Sequence, residues 1–171
     1  MKKFSTKEMV LAALLTALTI IIPIIFTPLR VVVGPYTATI TAHVPTIIAT
    51  FINPFVAVLV ALCSTIGFFM TASPIVACRA ATHVLFAAVG ANMIKNEKNI
   101  WAVLGITGII HAIAETIVVY IGYLLGVVAT NEYSVGFFML ITFVGTIAHH
   151  CVDFAIALFI AKTLKKAKLL K

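Results

Sequence analysis

Residues 74–94 read PIVACRAATHVLFAAVGANMI, an apolar run long enough to cross a bilayer as one helix. A helix rises about 1.5 Å per residue, so about 20 residues span a hydrocarbon core of about 30 Å. The run nevertheless contains Arg79 and His83, which are four residues apart and therefore share a helix face. An ionisable side chain at mid-bilayer costs about 2.5–3.5 kcal/mol, so such residues form pairs, face a cavity or perform a function.

The rest of the chain has the same apolar character. It has 171 residues, of which 63% are hydrophobic and only 10% are charged, and its mean hydropathy is +1.19. These residues provide too little polar surface to cover a soluble domain. The composition therefore predicts one multi-pass domain, residues 1–171, in the cell membrane and in contact with the lipid bilayer.

Six segments are predicted to span the membrane as helices, so the predicted fold class is an all-α, six-transmembrane-helix bundle. The segments cover residues 6–26, 36–53, 54–70, 74–94, 100–126 and 134–164. Ser5 and Glu8 predict a capping box at the start of the first helix, and Pro54 suits the first turn of the third. The long loop at residues 26–39 is either a lid over a site or a simple linker.

The lysines predict how the bundle is oriented. If the N-terminus is cytoplasmic, all ten lysines lie on the inner side, and Arg30 is the only cation in the outer loops. An excess of lysine and arginine marks the cytoplasmic side, so we predict that both termini are cytoplasmic. The net charge of +7 is concentrated at the ends of the spans, which argues against a nucleic-acid partner.

Eight histidine, arginine and acidic side chains lie inside the predicted spans and away from their ends. They are His43, Arg79, His83, His111, Glu115, His149, His150 and Asp153. Counting helical turns from the outer ends places Asp153 in a separate inner cluster. The same count places four residues near an outward-opening cavity: Arg79, His83, Glu115 and His43. The guanidinium of Arg79 matches a carboxylate or phosphate, so Arg79 is either an anion anchor or the partner of Glu115 in an internal salt bridge.

The sequence contains no motif for an enzyme. No P-loop, GxSxG or HExxH motif is present, and the three cysteines show no CxxC spacing. We therefore predict no enzymatic activity, no cofactor and no metal site. One alternative is an intramembrane metallo-enzyme built on His149 and Asp153, because histidine and carboxylate ligands suit zinc or iron.

The first span contains Ala13 and Ala17, which form an AxxxA pattern. Small residues at this spacing let two membrane helices approach closely. The pattern predicts either a surface for a partner protein or packing within the bundle itself.

These features together resemble the substrate-binding S components of energy-coupling factor (ECF) vitamin transporters. The resemblance covers the whole chain: six spans in a short protein, cytoplasmic termini, a long outer first loop and the AxxxA pattern. It implies a high-affinity vitamin-binding subunit of an ABC importer. It also implies docking through Ala13 and Ala17 on a transmembrane T subunit, which is coupled to two cytoplasmic ATPases.

The resemblance also suggests the ligand and its site. Residues 37–69, TATITAHVPTIIATFINPFVAVLVALCSTIGFF, resemble S components associated with niacin. Pantothenate, pyridoxine and other vitamins remain alternatives within the family, and a stand-alone proton-coupled permease is the alternative outside it. The predicted substrate-binding residues are Arg79, His83, Glu115, His111, His43, Tyr36, Tyr123 and His150.

Overall fold

A computed structural model describes residues 5–33, 36–128 and 133–170. Within these ranges, five helical segments are long and apolar enough to cross a membrane. They are α1 (Thr6–Ile25), α3 (Pro54–Thr71), the pair α4 (Pro74–Ala81) and α5 (His83–Lys95), α6 (Ile100–Leu124) and α7 (Val135–Lys166). Lys2, Lys3, Lys171 and the outer loop at Asn131 and Glu132, all used in predicting the orientation, lie outside the described residues.

Local sequence signals start two of these helices as predicted. At α1, the Ser5 hydroxyl accepts from the Glu8 N–H at 3.2 Å, and the Glu8 carboxylate accepts from the Ser5 N–H at 2.8 Å. At α3, the Asn53 side chain accepts from the Val56 N–H at 2.9 Å, and Pro54 occupies the first turn. Both caps satisfy N–H groups that have no partner inside the helix.

The prediction of one continuous helix over residues 36–53 is wrong. Residues 36–39 form strand β2 (Tyr36–Thr39), which pairs antiparallel with β1 (Arg30–Val33), and only α2 (Val44–Thr50) is helical. The bundle is therefore all-α apart from one hairpin in the predicted outer loop. Between β2 and α2 the chain turns at Thr41, whose φ of 73° is costly for a β-branched residue.

Residues 36–52 nevertheless run from one end of the bundle to the other. Ser5, Lys7, Phe51 and Lys168 line the same cavity, so residue 51 lies at the end where the described chain both starts and finishes. The hairpin follows the other end of α1. The described residues therefore contain five long apolar helices and this one irregular segment; that the chain spans the membrane six times, and in which orientation, stays a prediction.

The core is built from small residues that bring the helices together. Ala57, Ala61, Ala87 and Ala157, from α3, α5 and α7, are fully buried in one apolar core that also contains Phe86. Helix α4 ends at a tight turn in which the Thr82 hydroxyl and N–H both donate to the Arg79 carbonyl, at 2.7 and 3.0 Å. This break sets the start of α5 at His83.

Candidate functional site

A small polar cavity lies under the hairpin, between α4, α5, α6 and α7. Its lining includes Arg79 and His83 from the apolar run at residues 74–94. Glu115 from α6 and His149 from α7 also line it. From the hairpin side it is covered by Thr37 and neighbouring residues of β2. The fold thus brings ionisable groups from four separate helices to one buried point.

Arg79 and Glu115 form a buried ion pair in this cavity. The Arg79 Nη2 donates to Glu115 Oε2 at 2.7 Å, and the Thr146 hydroxyl donates to the same oxygen at 2.7 Å. The Arg79 Nε is buried and has no hydrogen-bond partner among the described residues. The guanidinium therefore keeps donor capacity for a further anion while Glu115 balances its charge.

Tyr36 packs against this arginine from the hairpin. The Arg79 Cζ lies 5.3 Å from the centre of the Tyr36 ring, which is within the range of a cation–π contact. A Cβ at Gly145 of α7 would come within 2.7 Å of the same ring, so the glycine makes room for it. Burial, together with the nearby Glu115 carboxylate, raises the pKa of Tyr36 to about 12, and the phenol therefore stays protonated at any physiological pH.

Three histidines surround the second oxygen of Glu115. The His83 Nε2 and the His111 Nε2 lie 3.5 and 3.4 Å from Glu115 Oε1. The His43 Nε2 lies 3.2 Å from the His83 Nε2. All of these side chains are buried.

The prediction that Asp153 belongs to a separate inner cluster is wrong. Asp153 is fully buried and accepts from the backbone N–H groups of Thr41 and His43, at 2.8 and 2.9 Å. Its carboxylate also lies 3.1 Å from the His43 Nδ1 and 3.1 Å from the His149 Nε2. His43 therefore joins Asp153 to the group around Glu115 in one network.

Asp153 explains how irregular backbone is accommodated inside an apolar bundle. Unpaired N–H groups at membrane depth cost several kcal/mol, so such a segment must find partners within the protein. The carboxylate supplies two acceptors for the turn at residues 41–43. The Thr39 carbonyl lies 3.0 Å from the His149 Nε2, which gives this end of β2 a partner as well.

The sequence of the chain matches a known transporter along nearly its whole length. It is 35% identical, over 174 aligned positions, to the niacin transporter NiaX of Lactococcus lactis subsp. cremoris (strain MG1363); the match covers 97% of this chain and 78% of that protein. The chain belongs to the niacin-type family of ECF S components. No family model matches it, and no solved structure does.

Membership of this family confirms the resemblance drawn from the sequence. It supports a role in transport rather than catalysis, in a multi-pass membrane protein. For an ECF S component it also implies a T subunit, ATPases and a small-molecule ligand as partners.

Most of the predicted substrate-binding residues of this S component lie together. His43, Arg79, His83 and Glu115 line the cavity, while His111 and Tyr36 contact its members from behind and above. His150 is buried behind His111, with their Nδ1 atoms 3.1 Å apart. Tyr123 is half-buried near the end of α6 and does not line the cavity.

The sequence reasoning missed other polar residues of the site. Arg30 lines the cavity from the hairpin, and its buried Nη2 has no hydrogen-bond partner in the part of the chain that the structure describes. Thr146 binds Glu115, and the Ser64 hydroxyl lies 3.4 Å from the His83 Nδ1. Only Arg30 carried a usable signal, as the single cation of the predicted lid; a threonine or serine in a membrane helix is too common to single out.

A second feature of the S component lies on the opposite side of α1 from the core. Ala13 and Ala17 are exposed and line a groove of about 550 Å³ between α1 and α3. Its walls are almost entirely apolar, with Phe55 and Leu59 on the α3 side. Ala13 and Ala17 of the AxxxA pattern therefore lie on the surface of the bundle and are not buried by packing within the described chain.

Proposed function

We propose that this S component binds nicotinate in the cavity at Arg79 and delivers it by docking on an ECF T subunit. The observation that carries the proposal is the buried guanidinium of Arg79, which lines the cavity and whose Nε has no hydrogen-bond partner among the described residues. A nicotinate carboxylate would bind there as a second anion, and Glu115 would keep its bond to Nη2. The relative named above as a niacin transporter supports this choice of ligand.

The aromatic part of nicotinate suits the surroundings of the arginine. Tyr36 offers a planar face beside Arg79, and aromatic rings favour offset-stacked or edge-to-face contacts. Arg30 adds a second cation at the mouth. A flat monoanion is therefore matched by charge at one end and by an aromatic surface at the other.

Binding requires the hairpin to move, because the cavity holds only about 20 Å³. That volume accommodates about one water molecule and not a vitamin. Strand β1 is poorly packed: Val31, Val32 and Val33 are all exposed. The contact from Arg79 Nη2 to the Thr37 carbonyl is long, at 3.4 Å. We therefore expect the hairpin to act as the lid that opens for the ligand.

The ligand proposal is tested by comparing nicotinate with nicotinamide, which has the same ring but no charge. Equilibrium binding to the purified chain in nanodiscs should favour nicotinate. Arg79→Lys keeps the charge opposite Glu115 but loses the planar fork. Disturbing a buried, hydrogen-bonded charge pair costs about 2–5 kcal/mol, so nicotinate affinity should fall at least about 30-fold.

Nicotinamide affinity should change far less in the same variant, which serves as the internal control. Equal losses for both ligands would show that Arg79 only supports the fold. Tight binding of pantothenate or pyridoxine, with no competition from nicotinate, would assign another vitamin to the same site.

The docking proposal rests on the exposed small-residue groove at Ala13 and Ala17. Close approach of two helix backbones is the main source of association between membrane helices, because lipid is as apolar as the side chains. Ala13→Trp should therefore abolish uptake through the complete transporter and leave nicotinate affinity unchanged. Ala155→Trp, the same enlargement on an exposed position of α7, is the matched control and should transport normally.

Two results would oppose this division of roles. If Ala13→Trp lowers binding and uptake together, the groove belongs to the fold and not to a partner. If the purified chain alone accumulates nicotinate in liposomes under a pH gradient, it works as a proton-coupled permease and needs no T subunit.

A further inference from the structure

All five histidines of the chain lie in one network, and three of them converge with Glu115. One ligand atom from each of His43, His83, His111 and Glu115 can be chosen so that all four lie within 4.8 Å of one another. The four residues come from the turn before α2, from α5 and from α6. Binding of a carboxylate at Arg79 does not account for three imidazoles that converge on a second carboxylate.

Three of the six distances between these atoms match the edges of a tetrahedron around a metal ion, and all six are at most 4.8 Å. A tetrahedral site with metal–nitrogen distances of about 2.0–2.1 Å has edges of about 3.3–3.4 Å. The His43 and His83 Nε2 atoms are 3.2 Å apart. Glu115 Oε1 lies 3.5 Å from the His83 Nε2 and 3.4 Å from the His111 Nε2.

His43 and His83 each have a polar group beside their second ring nitrogen, as metal-binding histidines do. A metal-binding histidine almost always has a hydrogen-bond partner on its other ring nitrogen, which fixes the tautomer and the ring orientation. The His43 Nδ1 lies 3.1 Å from the Asp153 carboxylate, within ion-pair distance although without hydrogen-bond geometry. The His83 Nδ1 lies 3.4 Å from the Ser64 hydroxyl. In both rings the Nε2 is the atom left for the centre.

The hydrogen bonds behind His111 assign its tautomer. The Thr107 hydroxyl donates to the Val103 carbonyl at 2.6 Å, so it accepts from the His150 Nε2 at 3.0 Å. The neutral His150 therefore accepts at Nδ1, and the His111 Nδ1 donates to it at 3.1 Å. The His111 Nε2 then carries a lone pair that faces the Glu115 carboxylate. It has no hydrogen-bond partner in the described part of the chain.

A lone pair facing a carboxylate is repulsive unless a cation lies between the two. Glu115 can bind such a cation through Oε1. Arg79 and Thr146 both donate to Oε2, which leaves Oε1 beside the histidines. We propose that His43, His83, His111 and Glu115 bind one Zn²⁺ ion at the floor of the cavity. Three imidazoles and a carboxylate in a tetrahedral arrangement suit zinc.

The ion is a resident one and not the transported ligand. Four protein ligands complete the tetrahedron and leave no open position, which is typical of structural zinc sites. The four side chains are nearly inaccessible, with 0–5% of each residue exposed. The site would lock the irregular segment at His43 to α5 and α6. This inference goes beyond the proposed function and does not depend on which vitamin binds.

The test uses the full-length chain, purified in detergent, stripped with EDTA and titrated with Co²⁺. We expect one equivalent of Co²⁺ to bind with the intense visible bands of a tetrahedral ion, and Zn²⁺ to displace it. A thiolate-to-cobalt band in the near ultraviolet should be absent, because the free cysteines Cys63, Cys78 and Cys151 are not ligands. No binding of Co²⁺ or Zn²⁺ would overturn the proposal.

Variants then assign the ligands. Loss of a supporting partner lowers metal affinity by about 10–100-fold, so His150→Gln should lower Co²⁺ affinity by that factor. His83→Gln and His111→Gln remove a ligand and should lower Co²⁺ affinity further. Glu97→Gln is the control, because it changes an exposed carboxylate between α5 and α6 that is not among the proposed ligands. If Co²⁺ binding depends on His149 and not on His83 or His111, the assignment is wrong.

Thermal unfolding with and without Zn²⁺ tests the site in variants that fold too poorly for a Co²⁺ titration. Zn²⁺ should raise the Tm of the EDTA-treated wild type and of Glu97→Gln, but not the Tm of His83→Gln. Equal stabilisation of all three proteins would also overturn the site.

Discussion

Replacing Asp153 with asparagine should destabilise the protein more than any other single-atom change in the site. The carboxylate is fully buried and has four nitrogen atoms within 3.1 Å: Thr41 N, His43 N, His43 Nδ1 and His149 Nε2. Asparagine is nearly the same shape, so the change removes charge and one acceptor without leaving a cavity.

The size of the effect follows from how the amide can orient. Thr41 alone donates to Oδ1, whereas the other three nitrogen atoms face Oδ2. The favoured orientation therefore places the new NH₂ group against the Thr41 N–H. One charge-assisted bond, worth about 1.5–3 kcal/mol, is lost, and the remaining bonds weaken to the strength of neutral ones. We expect a loss of about 3–5 kcal/mol, in the range measured for breaking buried pairs.

Thermal unfolding of the purified chain measures this loss. At about 2–4 °C per kcal/mol for a chain of this length, the Tm should fall by roughly 6–20 °C. Glu97→Gln makes the same chemical change at an exposed position between α5 and α6, and should stay within about 0.5 kcal/mol of wild type. A Tm of Asp153→Asn within 2 °C of wild type would refute the role of this carboxylate in holding the turn.

Three further changes test the hairpin side of the site. Gly145→Ala should weaken nicotinate binding by displacing the Tyr36 ring, whereas Gly136→Ala on the same helix, with nothing within 4 Å of the added Cβ, should not; calorimetry separates the two. Thr146→Val should also weaken binding, because Glu115 loses a 2.7 Å donor and competes more strongly for the arginine. Since the pKa of Tyr36 is raised from 10.0 to about 12, the folded chain holds its proton longer than the unfolded one. Stability should therefore fall between pH 10 and 12, and Tyr36→Phe should flatten that fall in a Tm-against-pH series.

The sequence was sufficient to predict the long helices and two of their starts. Hydropathy over about 20 residues reflects a requirement of the bilayer itself, and the caps at Ser5 and Asn53 depend on residues only three positions away. Such local signals are readable without knowing the fold.

Residues 36–43 were mispredicted because their structure depends on a distant residue. A short apolar run fits a strand or a helix equally well by periodicity. What decides the matter is Asp153, 112 residues beyond Thr41, whose carboxylate accepts the N–H groups of the turn. No spacing in the sequence shows that contact.

The same contact explains why Asp153 was assigned to an inner cluster. It lies 18 residues beyond Val135, about 27 Å along a helix that rises 1.5 Å per residue, so the predicted depth was reasonable. The error concerned its partners. Because residues 36–43 enter the bundle from the hairpin, His43 is carried down to Asp153 and connects it to Glu115. The pairing of Arg79 with Glu115, in contrast, followed from the high cost of an unpaired charge in the membrane.

The central claim is that this S component captures nicotinate, and native mass spectrometry of the full chain tests it most directly. The chain would be purified after growth in medium rich in B vitamins and released gently from detergent. We expect one retained molecule per chain with the mass of nicotinate, and its loss in Arg79→Lys. Retention of a different vitamin, or an empty wild-type chain after incubation with excess nicotinate, would contradict the claim.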